Sequence, residues 1–103
     1  MTRLSTIDDS LLETINEVLE GIFGRKGSII IFETMEKKYV LKRNQIGEKL
    51  QVLEDVLKQM FKSGSLIIKD LILENLYAKF NLEFKSQKGY QFSDYIQALR
   101  ETT

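Results

Sequence analysis

The chain has 103 residues, with fifteen Lys and Arg against fifteen Asp and Glu, and it lacks His, Cys, Trp and Pro. Without His and Cys it has no usual near-neutral proton shuttle, no thiolate nucleophile and no N/S ligand set of the kind zinc takes. The length fits one domain with a single core, and the charge balance argues against a general nucleic-acid or anionic-membrane binder.

Thr6-Ile7-Asp8-Asp9 reads as a helix start, with Thr6 as the cap and two aspartates in the first turn. Leu11, Leu12, Ile15, Val18, Leu19, Ile22 and Phe23 then recur at helical spacing and form one wide apolar face. Gly24 and Gly27 are expected to end this helix, and Ser28 to cap a second one through Tyr39. The β-branched run Ile29-Ile30-Ile31 also reads as a short strand. Helix is preferred, because Glu33 and Lys37 form an i,i+4 pair among good helix formers.

Val40 to Asn44 is a connection, with Ile46 in a short helical turn. A third helix is expected from about Glu48 to Phe61, where Leu50, Leu53, Leu57 and Met60 make a seam that wants a partner helix. Lys62-Ser63-Gly64 is a tight corner, with Gly64 suited to a left-handed position and Ser63 or Ser65 to a cap. The helix from Ser65 to about Phe80 is apolar on more than one face, which predicts the central helix, or one that also buries a dimer face. Leu82, Phe84, Tyr90 and Phe92 flank Ser86-Gln87-Lys88-Gly89; this reads as a small hairpin over about 82–92, or as an irregular link pinned by aromatics. Ser93-Asp94 starts a last helix with Tyr95, Ile96 and Leu99 inward. The fold class expected is therefore all-α: a single domain over 1–103, a compact bundle of four to five helices, with either the small hairpin or the irregular link before the last.

Chemistry-bearing groupings are sparse. The carboxylate pairs Asp8/Asp9, Glu33/Glu36 and Glu54/Asp55 fall at a helix start or on helix faces that should be solvated. A serine nucleophile would need a lysine base, and no Ser-x-x-Lys is present. Lys37-Lys38 and Lys42-Arg43 read as a solvated turn, and Gly21, Gly24 and Gly27 with Arg25 and Lys26 as a helix–helix turn rather than a phosphate cradle. The Phe61–Ser65 corner has the length of a helix-turn-helix joint, but its second helix offers only Lys69, Asn75 and Lys79 against Asp70 and Glu74. No catalytic, cofactor-binding or metal-binding residue is expected, and no cofactor. No apolar run approaches the length of a membrane span, and Met1-Thr2-Arg3-Leu4-Ser5-Thr6 has no apolar signal region, so a cytoplasmic protein is expected. Tyr39, Tyr77, Tyr90, Tyr95 and the six Phe residues are expected mostly in the core, and the sticky surfaces to look for are Leu66–Leu73 and the C-terminal aromatic segment.

Between Leu12 and Leu82 the chain resembles a small archaeal family, the fifth type of Nitrosopumilus output domain. The resembling stretches are Leu12-Glu13-Thr14-Ile15-Asn16-Glu17-Val18-Leu19, Met35-Glu36-Lys37-Lys38-Tyr39 and Ile46. The longest is Leu53-x-x-x-Leu57-x-x-Met60-Phe61-x-x-Gly64-Ser65, followed by Ile67-Ile68-x-x-Leu71-Ile72-x-x-x-Leu76-Tyr77. Family members usually have Gly-x-Gly-Ala where this chain has Lys62-Ser63-Gly64-Ser65. The resemblance implies a regulatory or signal-output module that contacts another macromolecule, and it brings no catalytic or binding residue with it. The function expected is a non-enzymatic protein–protein module whose partner is another protein or a second copy, a homodimer through an apolar helix face. The alternative is a helix-turn-helix DNA-binding regulator.

Overall fold

Ile7, Leu11, Ile15, Val18 and Leu19 step along one side of a helix, and all five are buried. In the computed structural model, which describes residues 3–102, they lie on the first limb of α1 (Arg3–Tyr39). The helix is already under way at Arg3, so Thr6 lies inside it and does not start it. No glycine or proline before Thr6 forbids that extension.

Gly24 breaks α1 with φ 80 and ψ 170, a conformation closed to residues with a Cβ. The two limbs, 3–23 and 25–39, fold back on each other. Ser28 Oγ donates to Asn16 Oδ1 at 3.0 Å across twelve residues, which a straight helix would spread over about 18 Å. Two expectations are corrected here. Gly27 does not end a helix; it lies within the second limb, where a Cβ would come 2.7 Å from Phe23 Cβ. Ser28 is not a cap, because its hydroxyl is buried in the bond to the first limb. Ile29–Ile31 is helical, and Ile31, Phe32 and Met35 join the core laid down by the first limb.

Val40, at φ 53, turns the chain out of α1, and the Leu41 N–H returns to Met35 O at 3.0 Å. A single 3-10 turn, Arg43–Gln45, leads to buried Ile46. Next comes α2 (Leu50–Phe61), which buries Leu50, Leu53, Val56 and Leu57. The corner into α3 (Gly64–Lys79) departs from expectation: the positive φ falls on Lys62 (φ 54, ψ −129), while Gly64 is the first residue of the helix. Ser63 holds the N-cap position without a side-chain cap bond, and Ser65 is buried.

The helix α3 packs against α1, α2 and α4 (Phe92–Thr102) and is the centre of the bundle. It ends in a Schellman turn around Asn81 at φ 59: Asn81 N–H reaches Ala78 O and Leu82 N–H reaches Tyr77 O, both at 3.0 Å.

Of the two readings of 82–92, the hairpin is absent and the irregular link pinned by aromatics is found; no strand occurs among the described residues. The main chain of Gln87 bonds to the Tyr95 hydroxyl in both directions, its N–H at 2.7 Å and its carbonyl at 3.2 Å, instead of to an opposing strand. Phe84 stacks edge-on against both Tyr77 and Tyr95, and Tyr90 leans on Tyr95. The alternating aromatics thus meet in one cluster on α3 and α4 rather than across a ladder. In α4, Phe92, Tyr95, Ile96 and Leu99 are buried. With α1 counted as two limbs, the all-α bundle has five rods, and its 13.0 Å radius of gyration is that of one packed body.

Candidate interaction surface

The two tight corners of the fold are neighbours. Phe23, the residue before the Gly24 break, stacks on Phe61, the last residue of α2, with ring centroids 5.2 Å apart. The chain on either side of that stack carries Ile22, Phe23, Ile29, Ile30, Leu66 and Ile67, six of the nine large apolar side chains exposed among the described residues. Ile30 is 60% exposed, Leu66 61% and Ile67 65%. These are helix-periodic apolar residues that the bends carry past the edge of the core. In α3, Ile68 and Ile72 face inward, which turns Ile67 to the opposite side.

The same end is basic. Residues 21–32 and 56–69 contain no Asp or Glu, yet carry Arg25, Lys26, Lys58, Lys62 and Lys69. Only Lys69 has an acidic partner among the described residues: its Nζ lies 3.1 Å from Glu54 Oε2, with both side chains largely buried. The other four are exposed. A chain of zero net charge thus has a positive, apolar end, and its neutrality does not describe its surface.

A groove of about 750 Å³ opens between α2 and α3 at this end; its walls set Lys58, Lys62 and Lys69 against Glu54 and Asp55, and Leu66 is their one apolar residue. The Glu54–Lys69 pair separates it from a second groove of about 360 Å³ that runs to Tyr90 and Tyr95. Glu54 Oε1 is buried and has no donor among the described residues.

The other groupings read from the sequence lie apart. Asp8 does not share a site with exposed Asp9; its Oδ1 accepts from Arg100 Nη2 at 2.7 Å, and the same nitrogen donates to Gly47 O at 2.7 Å. This clamp joins the first helix, the 46–49 turn and the last helix, and a Cβ on Gly47 would meet the Asp8 carboxylate oxygens at 2.7 and 2.9 Å. Glu33 and Glu36 are exposed on the second limb of α1, and Asp55 accepts from Gln51 Nε2 at 3.3 Å. Among the cations at the end of α1, Lys38 lies over the Tyr39 ring and Arg43 over the Phe32 ring, 5.6 and 4.0 Å from the centroids. Lys79 binds Glu13 and Glu17, both at 2.9 Å, and so ties α3 to α1. The outward face of α3 presents Asp70, Glu74 and Asn75 beside Ile67, a poor set of donors for base edges. Tyr77 is half-buried and donates to Tyr95 O at 2.7 Å; burial, then Tyr95 and Tyr90, push its phenol above the ordinary tyrosine value.

Sequence reasoning missed the joined corners. The signal was present in the two acid-free stretches, each with exposed-in-fact isoleucine or leucine, but nothing along the chain says that residues 23 and 61 touch. No helix among the described residues is long and apolar enough to cross a membrane. No family model, curated protein or solved structure matches the chain.

Proposed function

We propose that this chain is a non-enzymatic regulatory or signal-output module that works in the cytoplasm by contacting another protein, in line with its resemblance to the archaeal output domains. The observation that carries the reading is the end where the two corners meet, whose flanking chain carries six exposed large apolar side chains and four exposed cations without acidic partners among the described residues. Large apolar side chains left exposed together mark contact sites rather than catalytic ones.

The test is tagged capture from a native archaeal lysate, with and without nuclease, using the wild-type chain and a Leu66→Ser/Ile67→Ser variant. Both positions are more than half exposed, so the fold should tolerate the change. A nuclease-resistant protein partner that the variant fails to hold supports the reading. Recovered DNA or RNA, or partners lost on nuclease treatment, contradicts it and favours the DNA-binding alternative.

A further inference from the structure

We infer that the outward face of α3 pairs antiparallel with the same face of a second copy of this chain, across a two-fold axis near Ile67. The inference goes beyond the reading above, in which the contact is with a different protein. It takes only the α3 part of that end and leaves Ile29 and Ile30 on α1 to that protein.

The face is ordered along the helix. Ser63, Ile67, Asp70 and Glu74 follow one another at steps of four, three and four, which sets them on one stripe, and all four are exposed. Lys62, also exposed, stands at the N-terminal end of the stripe, and exposed Leu66 borders it. The stripe therefore reads positive, apolar, negative. A two-fold interface uses one patch on both copies, so the patch must complement itself. This order does so when the helices run antiparallel and the apolar step lies on the axis. A parallel pairing in register would set Lys62 on Lys62 and Glu74 on Glu74.

With the axis at Ile67, the two Ile67 side chains meet, and Asp70 of one copy comes opposite Gly64 of the other. Ser63 makes no side-chain cap bond there, so the positive end of the α3 dipole is open to that carboxylate. Glu74 projects about 6 Å, roughly one turn, past the end of the other helix, where Lys62 stands.

Every group in the contact is available for it. Asp70 and Glu74 lie one turn apart as a like-charge pair, and neither has a cation partner among the described residues. Lys69, beside Asp70 in the chain, is held by Glu54 at 3.1 Å. Lys62 has no acidic partner among the described residues. Ile67 is 65% exposed and Leu66 61%, so pairing buries side chains that the fold leaves in water. Zero net charge leaves no overall repulsion between copies. Asp70 and Glu74 on the same stripe repel an anionic lipid surface or a nucleic acid.

The test is sedimentation equilibrium of the full chain up to about 1 mM, with amide shifts of the labelled chain over the same range. The inference expects a monomer–dimer equilibrium that weakens as salt rises, with concentration-dependent shifts centred on 62–74. Lys62→Glu or Glu74→Lys alone sets like charges together at both ends of the contact and weakens the dimer at least about tenfold. Mixing the two single variants, or combining both changes in one chain, restores it, because each Glu again faces a Lys. Ile67→Ser weakens the dimer too, and it carries the test if circular dichroism shows a charge variant unfolded. A chain that stays monomeric, a dimer indifferent to these changes, or single variants that mixing does not rescue overturns the inference. Binding of phosphatidylserine vesicles or a short DNA duplex through 62–74 in place of self-association overturns it as well. A captured different protein that depends on Leu66 and Ile67, with no self-association, overturns the inference and leaves the protein-contact reading standing. Self-association of the expected kind with no captured protein does the reverse.

Discussion

Three single residues fix the chain in conformations that their neighbours alone would not choose. Gly24 carries the fold-back of α1 at φ 80, and an Ala there is strained in the folded state whatever the surrounding space. Gly24→Ala is expected to destabilise the domain by about 1–2 kcal/mol, read from urea midpoints. Lys62 is the reverse case. Lys62→Gly is expected to stabilise the fold by about 1 kcal/mol, because the corner already has a glycine-like backbone. If the surface reading holds, the same variant weakens partner binding, so stability and affinity move in opposite directions. Arg100 closes a clamp on Asp8 and Gly47 O, and Arg100→Met leaves both acceptors short of a donor. A loss of about 2 kcal/mol is expected in chemical denaturation, with Lys at the same position restoring only part of it.

At the scale of elements, the sequence was legible wherever apolar spacing and a partner face agree. On α2 the seam residues Leu50, Leu53 and Leu57 are buried with Val56, and Met60 only partly; on α4 Tyr95, Ile96 and Leu99 are buried with Phe92, and α3 is central. It was not legible where one residue's backbone decides. Nothing in the residue types says that Lys62 rather than Gly64 takes the positive φ, or that Gly24 alone breaks α1. Of the two readings of the 82–91 link, the irregular one pinned by aromatics holds, because alternation records which side chains turn the same way, not whether main chains pair. Here a tyrosine hydroxyl takes both hydrogen-bonding groups of Gln87. Tyr95→Phe is therefore expected to loosen this link, with amide exchange over 85–90 accelerated about tenfold and a loss of about 1–2 kcal/mol.

The same cluster gives the fold an alkaline limit. Burial, aided by Tyr95 and Tyr90, raises the Tyr77 phenol above its ordinary value of 10.0. For Lys79, burial opposes the charge, but its bonds to Glu17 and Glu13 prevail and its value also rises, from 10.5. Both groups hold their protons more tightly folded than unfolded. The stability they contribute is fully present below about pH 10 and is lost as pH climbs through the raised values. Thermal midpoints should fall above pH 10 and do so less steeply in a Tyr77→Phe variant compared from its own neutral value.

For the whole molecule, zero net charge conceals a polar arrangement. Acid-free segments from two distant parts of the chain are brought together by one aromatic stack, and the end they form is basic and apolar at once. The net charge read from the sequence pointed away from anionic partners, because composition averages over a surface that folding segregates. The candidate site was legible only as separate pieces, with Leu66 and Ile67 on one helix and Arg25 and Lys26 in one turn. The contact that unites them spans residues 23 and 61, beyond any local pattern.

The central claim is that this end is the working surface. The most direct measurement is hydrogen–deuterium exchange of the full chain, free and bound to its captured partner. Slowed exchange concentrated in 21–32 and 56–69, with the 82–102 segment unchanged, is the predicted result. Protection confined to 82–102, or to the outward face of α3 beyond Asp70, would contradict it.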